Sequence, residues 1–194
     1  PVTAEVTPHH LTLTHEQVLA PVPYDTSAKV NPPLRASQDV RALVDGLRDG
    51  VIDAIATDHA PHTAMDKLVE FDFAPPGISG LETALGALLA LVHSGEMDLM
   101  TLVTRLTTGP AKVIGHPLGS LTVGLPADVV LFDPTREWVV DPTAFASRGR
   151  NTPLAGRALR GKVMATLAQG VLAYRDEAVS LSLSSQAEPQ RIRG

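Results

Sequence analysis

Cysteine is absent from the 194 residues. Disulfide staples and thiolate metal sites are therefore excluded, and any metal must be held by His, Asp or Glu. Positive charge is scarce too: 16 Lys and Arg stand against 21 Asp and Glu, for a net charge of -5, and the cations are scattered. Such a chain offers no basic field to a nucleic-acid backbone, so nucleic acid is not an expected partner. No apolar run reaches the ~20 residues needed to span a bilayer, and no signal peptide opens the sequence. The expectation is a cytoplasmic protein with no membrane partner. An initiator Met is also missing, and Pro1-Val2-Thr3-Ala4-Glu5-Val6 enters a strand-like alternation at once, so a fragment is expected. What remains is globular in composition, 44% hydrophobic and 19% charged, with length for one domain or a domain and a half.

The chain is organised around Val51-Ile52-Asp53-Ala54-Ile55-Ala56-Thr57-Asp58-His59-Ala60-Pro61-His62. A short apolar run without polar alternation reads as a strand buried on both faces of a parallel sheet. Its chemistry sits at the C-terminal end, where β/α barrels carry catalytic side chains. Pro61 stops the strand, which should crowd Asp58, His59 and His62 on one rim. A carboxylate with two imidazoles there suits a metal or acid/base role.

Around that stretch the order is strand, helix, strand. Residues 2–6 read as a strand ended by Thr7-Pro8-His9-His10, with the two histidines extended and facing opposite ways. Thr14 and Gln17 have capping-box spacing and predict a short helix over 15–19. Residues 21–33 hold four prolines and read as irregular. There Asn31, placed before Pro32, should be held extended with its amide projecting for binding or for an Asx turn. Ser37 predicts a helix over 38–48, with Val40, Leu43, Val44 and Leu47 as its apolar stripe and Gly50 as its stop. Pro75-Pro76-Gly77 reads as a tight turn in which Gly77 takes positive φ and lets backbone approach a ligand, or as a plain rigid loop. Ser79 and Glu82 suggest a further capping box, before an apolar helix through Leu81, Leu85, Leu88, Leu89 and Val92. Helices are expected over 99–106 and from Pro110.

From Gly119 the pattern turns to short strands at 121–123, 128–133 and 137–140, a long loop over 141–156, and a hairpin of 159–168 with 171–174 about Gln169-Gly170. This is expected to be a small β unit separate from the β/α part. Residues 176–194 lack a core pattern and read as a disordered tail.

Four motifs now stand in order: Glu5-Val6-Thr7-Pro8-His9-His10-Leu11, Lys29-Val30-Asn31-Pro32-Pro33-Leu34-Arg35, Ala56-Thr57-Asp58-His59-Ala60-Pro61-His62 and Gly80-Leu81-Glu82-Thr83. Together they resemble the C-terminal portion of a class I dihydroorotase, of the metal-dependent amidohydrolase superfamily. Residues 124–133 and 151–156 resemble the composite β-sandwich that follows the barrel in such enzymes. The resemblance covers about residues 1–175. It implies an α/β fold: the last two strands and following helices of a (β/α)8 TIM-like barrel over 1–117, then a β-sandwich segment over 118–175.

The activity implied is the reversible, zinc-dependent cyclisation of N-carbamoyl-L-aspartate to (S)-dihydroorotate in pyrimidine synthesis. By the same resemblance Asp58 would bind one metal of a zinc centre of one or two ions and act as general base. Asn31 and His62 would hold the substrate, His62 at its carboxylate, and the backbone of Pro76 and Gly77 would touch the ring. Pro76 stands where many members have Phe, so a contact there must use the Gly77 N–H or a carbonyl. His9, His10 and His59 inherit no metal role. The family's remaining ligands lie on strands before Pro1, so the chain alone is expected to be inactive, because a catalytic zinc wants three protein ligands. Two alternatives stand beside this reading: a non-catalytic subunit that stabilises aspartate carbamoyltransferase, and another cyclic-amide hydrolase such as a hydantoinase or allantoinase. Self-association is a further possible partnership.

Overall fold

In the computed structural model, which describes residues 2–19 and 21–179, the first strand is short: β1 spans Glu5–Val6. Thr7 then caps helix α1 (Pro8–Thr12), its hydroxyl oxygen accepting the His10 N–H at 3.1 Å. Pro8 occupies the first turn, where a missing N–H costs nothing. His9 and His10 are thus helical, not extended as the sequence suggested. The predicted helix over 15–19 is a 3-10 turn, His15–Val18, whose Thr14 side chain makes no cap bond.

A second 3-10 turn, Thr26–Ala28, breaks up the proline-rich segment, with Asp25 accepting the Ser27 N–H. Helix α2 (Ser37–Asp49) follows, capped at Ala36 rather than Ser37, because the Asp39 carboxylate accepts the Ala36 N–H at 3.1 Å. It ends as expected at Gly50, in left-handed backbone with φ of 84°. Val44 and Leu47 are buried, with Leu43 beside them. Strand β2 (Ala54–Ile55) then pairs in parallel with β1, Glu5 opposite Ala54 and Val6 opposite Ile55. The β/α/β order holds, but the strand is far shorter than its apolar run. Asp53 pins the register: its N–H donates to the Ala4 carbonyl and its carboxylate accepts the Ala4 N–H, each at 2.9 Å.

Four helices follow: α3 (Ala64–Lys67), α4 (Ala84–His93), α5 (Leu99–Leu106) and α6 (Thr108–Val113). Thr63 and Asp66 cap α3 reciprocally, and Asp98 caps α5. The expected capping box at Ser79 and Glu82 is not formed, since α4 starts at Ala84 with Thr83 at its cap position.

The last elements form an antiparallel sheet in the order β3 (Val129–Val139), β4 (Ala158–Ala168), β5 (Val171–Arg175). No strand forms at 121–123, where Val123 is 100% exposed. The two strands predicted for 128–140 are one, carried over a break in register between Asp133 and Glu137. Asp133 satisfies that bulge by accepting the Thr135 and Arg136 N–H groups at 2.8 and 3.2 Å. Gln169 and Gly170, with φ of 51° and 79°, make the predicted tight hairpin.

The β unit does not stand apart. One core cluster gathers Leu11, Val44, Leu47, Leu88, Leu89 and Leu102 between the parallel strands and helices. A second joins Leu13, Val30, Leu34, Ile78 and Ala87 to Val140 and Leu154 of the β unit, with Trp138 and Leu159 against them. Helix α4 lies on β4 where both present glycine; a Cβ on Gly86 would come within 3.0 Å of the Gly161 carbonyl oxygen. Of the predicted tail, Asp176 is anchored to the sheet: it is buried, pairs with Lys162 at 2.7 Å and donates its N–H to the Met164 carbonyl. Residues 180–194 lie outside the described residues. No helix among the described residues is long and apolar enough to cross a membrane.

Candidate active site

Strand β2 ends at Ile55, ahead of the Pro61 expected to stop it, and the side chains that follow have separate uses. Asp58 sits in left-handed backbone, φ 46°, a conformation that costs a non-glycine residue and that Asp tolerates better than most. It is exposed, and its carboxylate makes no hydrogen bond among the described residues. His59, by contrast, is spent on structure. It bridges to Ile78, its Nδ1 accepts the Gly80 N–H at 3.2 Å, and its Nε2 faces the Ser147 hydroxyl at 3.3 Å. His62 is half-buried: its N–H donates to Asn151 Oδ1 and its Nε2 donates to the Pro76 carbonyl, each at 3.0 Å. A carbonyl only accepts, so Nε2 carries a proton and Nδ1 remains for a ligand.

Gly77 meets His62 from the other side. Its φ is 144°, and a Cβ there would lie 2.9 Å from His62 Nε2 and 2.6 Å from the Ala60 Cβ. The close approach therefore requires glycine. Its N–H, named above as one of two groups able to touch a ligand, is already given to the Lys29 carbonyl at 2.9 Å. The Pro76 and Gly77 carbonyls each accept one bond, from His62 and from Asn151, and each keeps a second lone pair.

Asn31 lies on a neighbouring loop, exposed, with its amide unbonded among the described residues. That loop is fixed on both sides. Val30 is buried, and the Pro32 carbonyl accepts from His10 Nε2 at 2.9 Å, while His10 Nδ1 meets the Thr7 hydroxyl at 2.6 Å. Lys29 donates to the Phe71 and Asp72 carbonyls at 2.8 and 2.9 Å. The buried Lys67 amine donates to the Thr26 and Pro75 carbonyls, and burial lowers its pKa from the ordinary value. Segments 26–31 and 67–77 are thereby stitched into one wall.

Asn151 is the residue whose part here the sequence did not disclose. Only 7% exposed, it donates from Nδ2 to the Gly77 and Ala60 carbonyls at 2.9 and 3.2 Å and accepts at Oδ1 from the His62 N–H and the Ser79 hydroxyl. Glu82 likewise receives the Ala146 and Ser147 N–H groups at 2.9 and 3.0 Å. Ser79 and Glu82 thus bind the long β3–β4 connection instead of capping α4. Partners so distant in sequence leave no local signal.

His9 lines a cavity of about 20 Å³ beside Thr57 and Thr83, and its Nε2 has no hydrogen-bond partner among the described residues. No group of three or more His, Asp or Glu that could hold a metal occurs among the described residues. The unbonded Asp58 carboxylate has the chemistry of a single oxygen ligand, and a complete zinc site needs others beside it.

A family model described as "Amidohydrolase family" matches residues 7–173. The chain is 49% identical over 176 residues to a protein named dihydroorotase from Syntrophus aciditrophicus (strain SB), an alignment that covers 91% of this chain and 41% of the relative. It is 52% identical over 176 residues to a dihydroorotase from Anaeromyxobacter dehalogenans (strain 2CP-C), covering 91% and 40%. The chain thus spans about two-fifths of the length of these relatives. Among solved structures, the L-hydantoinase (dihydropyrimidinase) from Arthrobacter aurescens superposes with a TM-score of 0.81 at 30% identity, over 93% of this chain and 41% of that one. The D-hydantoinase (dihydropyrimidinase) from Thermus sp. gives 0.82 at 26% identity, over 91% and 40%.

Proposed function

This chain belongs to the amidohydrolase family, and from that premise we propose that the whole protein is a dihydroorotase, interconverting N-carbamoyl-L-aspartate and (S)-dihydroorotate. The observation that carries the reading is the identity of about half, over nine-tenths of the chain, to proteins named dihydroorotase. Hydantoinases share the fold at a third of identity or less.

Residues 1–117 are assigned to the last two strands and following helices of a (β/α)8 barrel, and 118–175 to a composite β-sandwich. The parallel pairing of β1 with β2 across α2, and functional groups at the strands' C-terminal ends, support that assignment. Asn31 and His62 bind the substrate, His62 donating from an Nδ1–H to its carboxylate, and the Gly77 carbonyl lies against the ring. Asp58 moves the proton. In ring opening, a C–O bond forms at the amide carbon, the C–N bond breaks, and Asp58 delivers to the departing nitrogen the proton it took from the attacking oxygen. With no hydrogen bond to it among the described residues, the carboxylate is open for that task. A zinc centre, to which Asp58 would give one oxygen ligand, supplies Lewis acidity that polarises the carbonyl and lowers the pKa of water.

The test is hydrolysis of dihydroorotate by the zinc-loaded full-length protein, wild type against Asp58→Asn, with hydantoin as the competing substrate. Loss of a proton-transfer group is expected to cut kcat by about 10²–10⁴-fold. A protein that opens hydantoin and leaves dihydroorotate intact would overturn the reading.

A further inference from the structure

We propose that Asn151 is a positioning residue that sets the substrate pocket formed by His62 and Gly77, making the β unit part of the specificity apparatus. The inference rests on the dihydroorotase reading for the name of the substrate, but its geometry stands independently. A side-chain amide has two N–H donors and two acceptor sites. Asn151 uses all four: Nδ2 on the Ala60 and Gly77 carbonyls, Oδ1 on the His62 N–H and the Ser79 hydroxyl. Its own backbone carbonyl takes the Ser79 N–H at 2.8 Å.

These partners lie on the loops that carry the candidate substrate contacts, 60–62 and 77–79. The His62 ring is defined by two bonds, its backbone N–H to Asn151 and its Nε2 to Pro76. Pro76 adjoins Gly77, whose carbonyl is itself held by Asn151. One buried amide therefore fixes both ends of the ring's support. The loop bearing Asn151 has little freedom to drift, because Gly149 packs against Pro61 and Ser79 with no room for a Cβ, and Glu82 holds residues 146 and 147. Asp at position 151 would keep both acceptors and turn a carboxylate oxygen onto two carbonyls, so the change is small in shape and specific in effect.

The experiment uses the zinc-loaded full-length protein with Asn151→Asp, Ser79→Ala, His62→Ala and the Asn151→Asp/His62→Ala double variant. Misplacing a group that binds substrate and transition state alike raises KM and spares kcat. We expect KM for dihydroorotate to rise about tenfold in Asn151→Asp, with kcat within about threefold of wild type. Ser79→Ala, which removes one of the four bonds, should shift KM the same way by less. In the His62→Ala background the Asn151 substitution should add nothing further to KM. A fall in kcat at constant KM, or full additivity with His62→Ala, overturns the proposal. So does a crystal structure of Asn151→Asp, or of Ser79→Ala should the first not fold, with the His62 ring and Gly77 unmoved. Wild-type protein inactive on dihydroorotate refutes the dihydroorotase reading instead, and the crystallographic comparison then decides this one.

Discussion

The rings of His9 and His10 lie 4.6 Å apart, and one is fully bonded while the other is not. His10 has a partner at each nitrogen, Thr7 and the Pro32 carbonyl. His9 is only 6% exposed, and its Nε2 has no hydrogen-bond partner among the described residues.

Burial, with the neighbouring His10 adding to it, lowers the His9 pKa from 6.5 to about 4. Between those values the unfolded chain binds a proton that the folded chain refuses, so stability rises with pH across the window and levels off above it. The full effect is on the order of 3 kcal/mol. Urea unfolding of the full-length protein at pH 5, 6 and 7.5 should show that slope, and His9→Gln should flatten it. An equal slope in both proteins would contradict the assignment to His9.

Gly77→Ala should harm the site more than the fold. A methyl there meets the Ala60 Cβ at 2.6 Å and His62 Nε2 at 2.9 Å, in backbone that L residues rarely adopt. The strain is about 1–3 kcal/mol. Relief must come from displacing the Ala60–His62 segment, so KM for substrate should rise together with the loss in melting temperature. Thermal unfolding and steady-state kinetics on the same preparation check the pair.

His10→Phe keeps the ring's bulk and removes its bonds to Thr7 and the Pro32 carbonyl. The loop carrying Asn31 then loses one of its anchors, at about 1 kcal/mol of stability. Zinc content should stay as in wild type while KM rises several-fold; metal analysis and kinetics would reveal a variant that lost zinc instead.

Leu88→Ala tests the core that α4 supplies. Leu88 is fully buried among helices and strands, and truncating such a leucine costs about 2–5 kcal/mol. Denaturant unfolding should show the loss with kcat of the surviving protein near wild type.

What the sequence disclosed, and what it hid, follows the range of the forces involved. Helix α2 was legible because its apolar spacing and Gly50 are local signals, although its cap, read at Ser37, is made by Asp39 on Ala36. The Gln169-Gly170 hairpin was legible for the same reason. Thr7 and Pro8 carried an equally local helix-start signal, and reading them as a strand end misplaced His9 and His10. Ser79 and Glu82 show the opposite case: their spacing mimics a cap, but they bind Asn151, Ala146 and Ser147. For the candidate site, the positive φ of Gly77 could be expected from the turn chemistry. The Asn151 amide could not, since a residue's partners across the fold are set by tertiary packing.

The β3–β4 connection is long and free of regular structure apart from one 3-10 turn, Pro142–Ala144, and such segments are the usual places to splice in a reporter or an epitope. Here it is the wrong place. Val140, Asn151 and Leu154 within it are buried, so a graft there would pry the β unit from the segments around His62 and Gly77. The turn at Val123 and Gly124 is the better seat: Val123 projects wholly into solvent, and nothing lies within 4 Å of where a Gly124 Cβ would be.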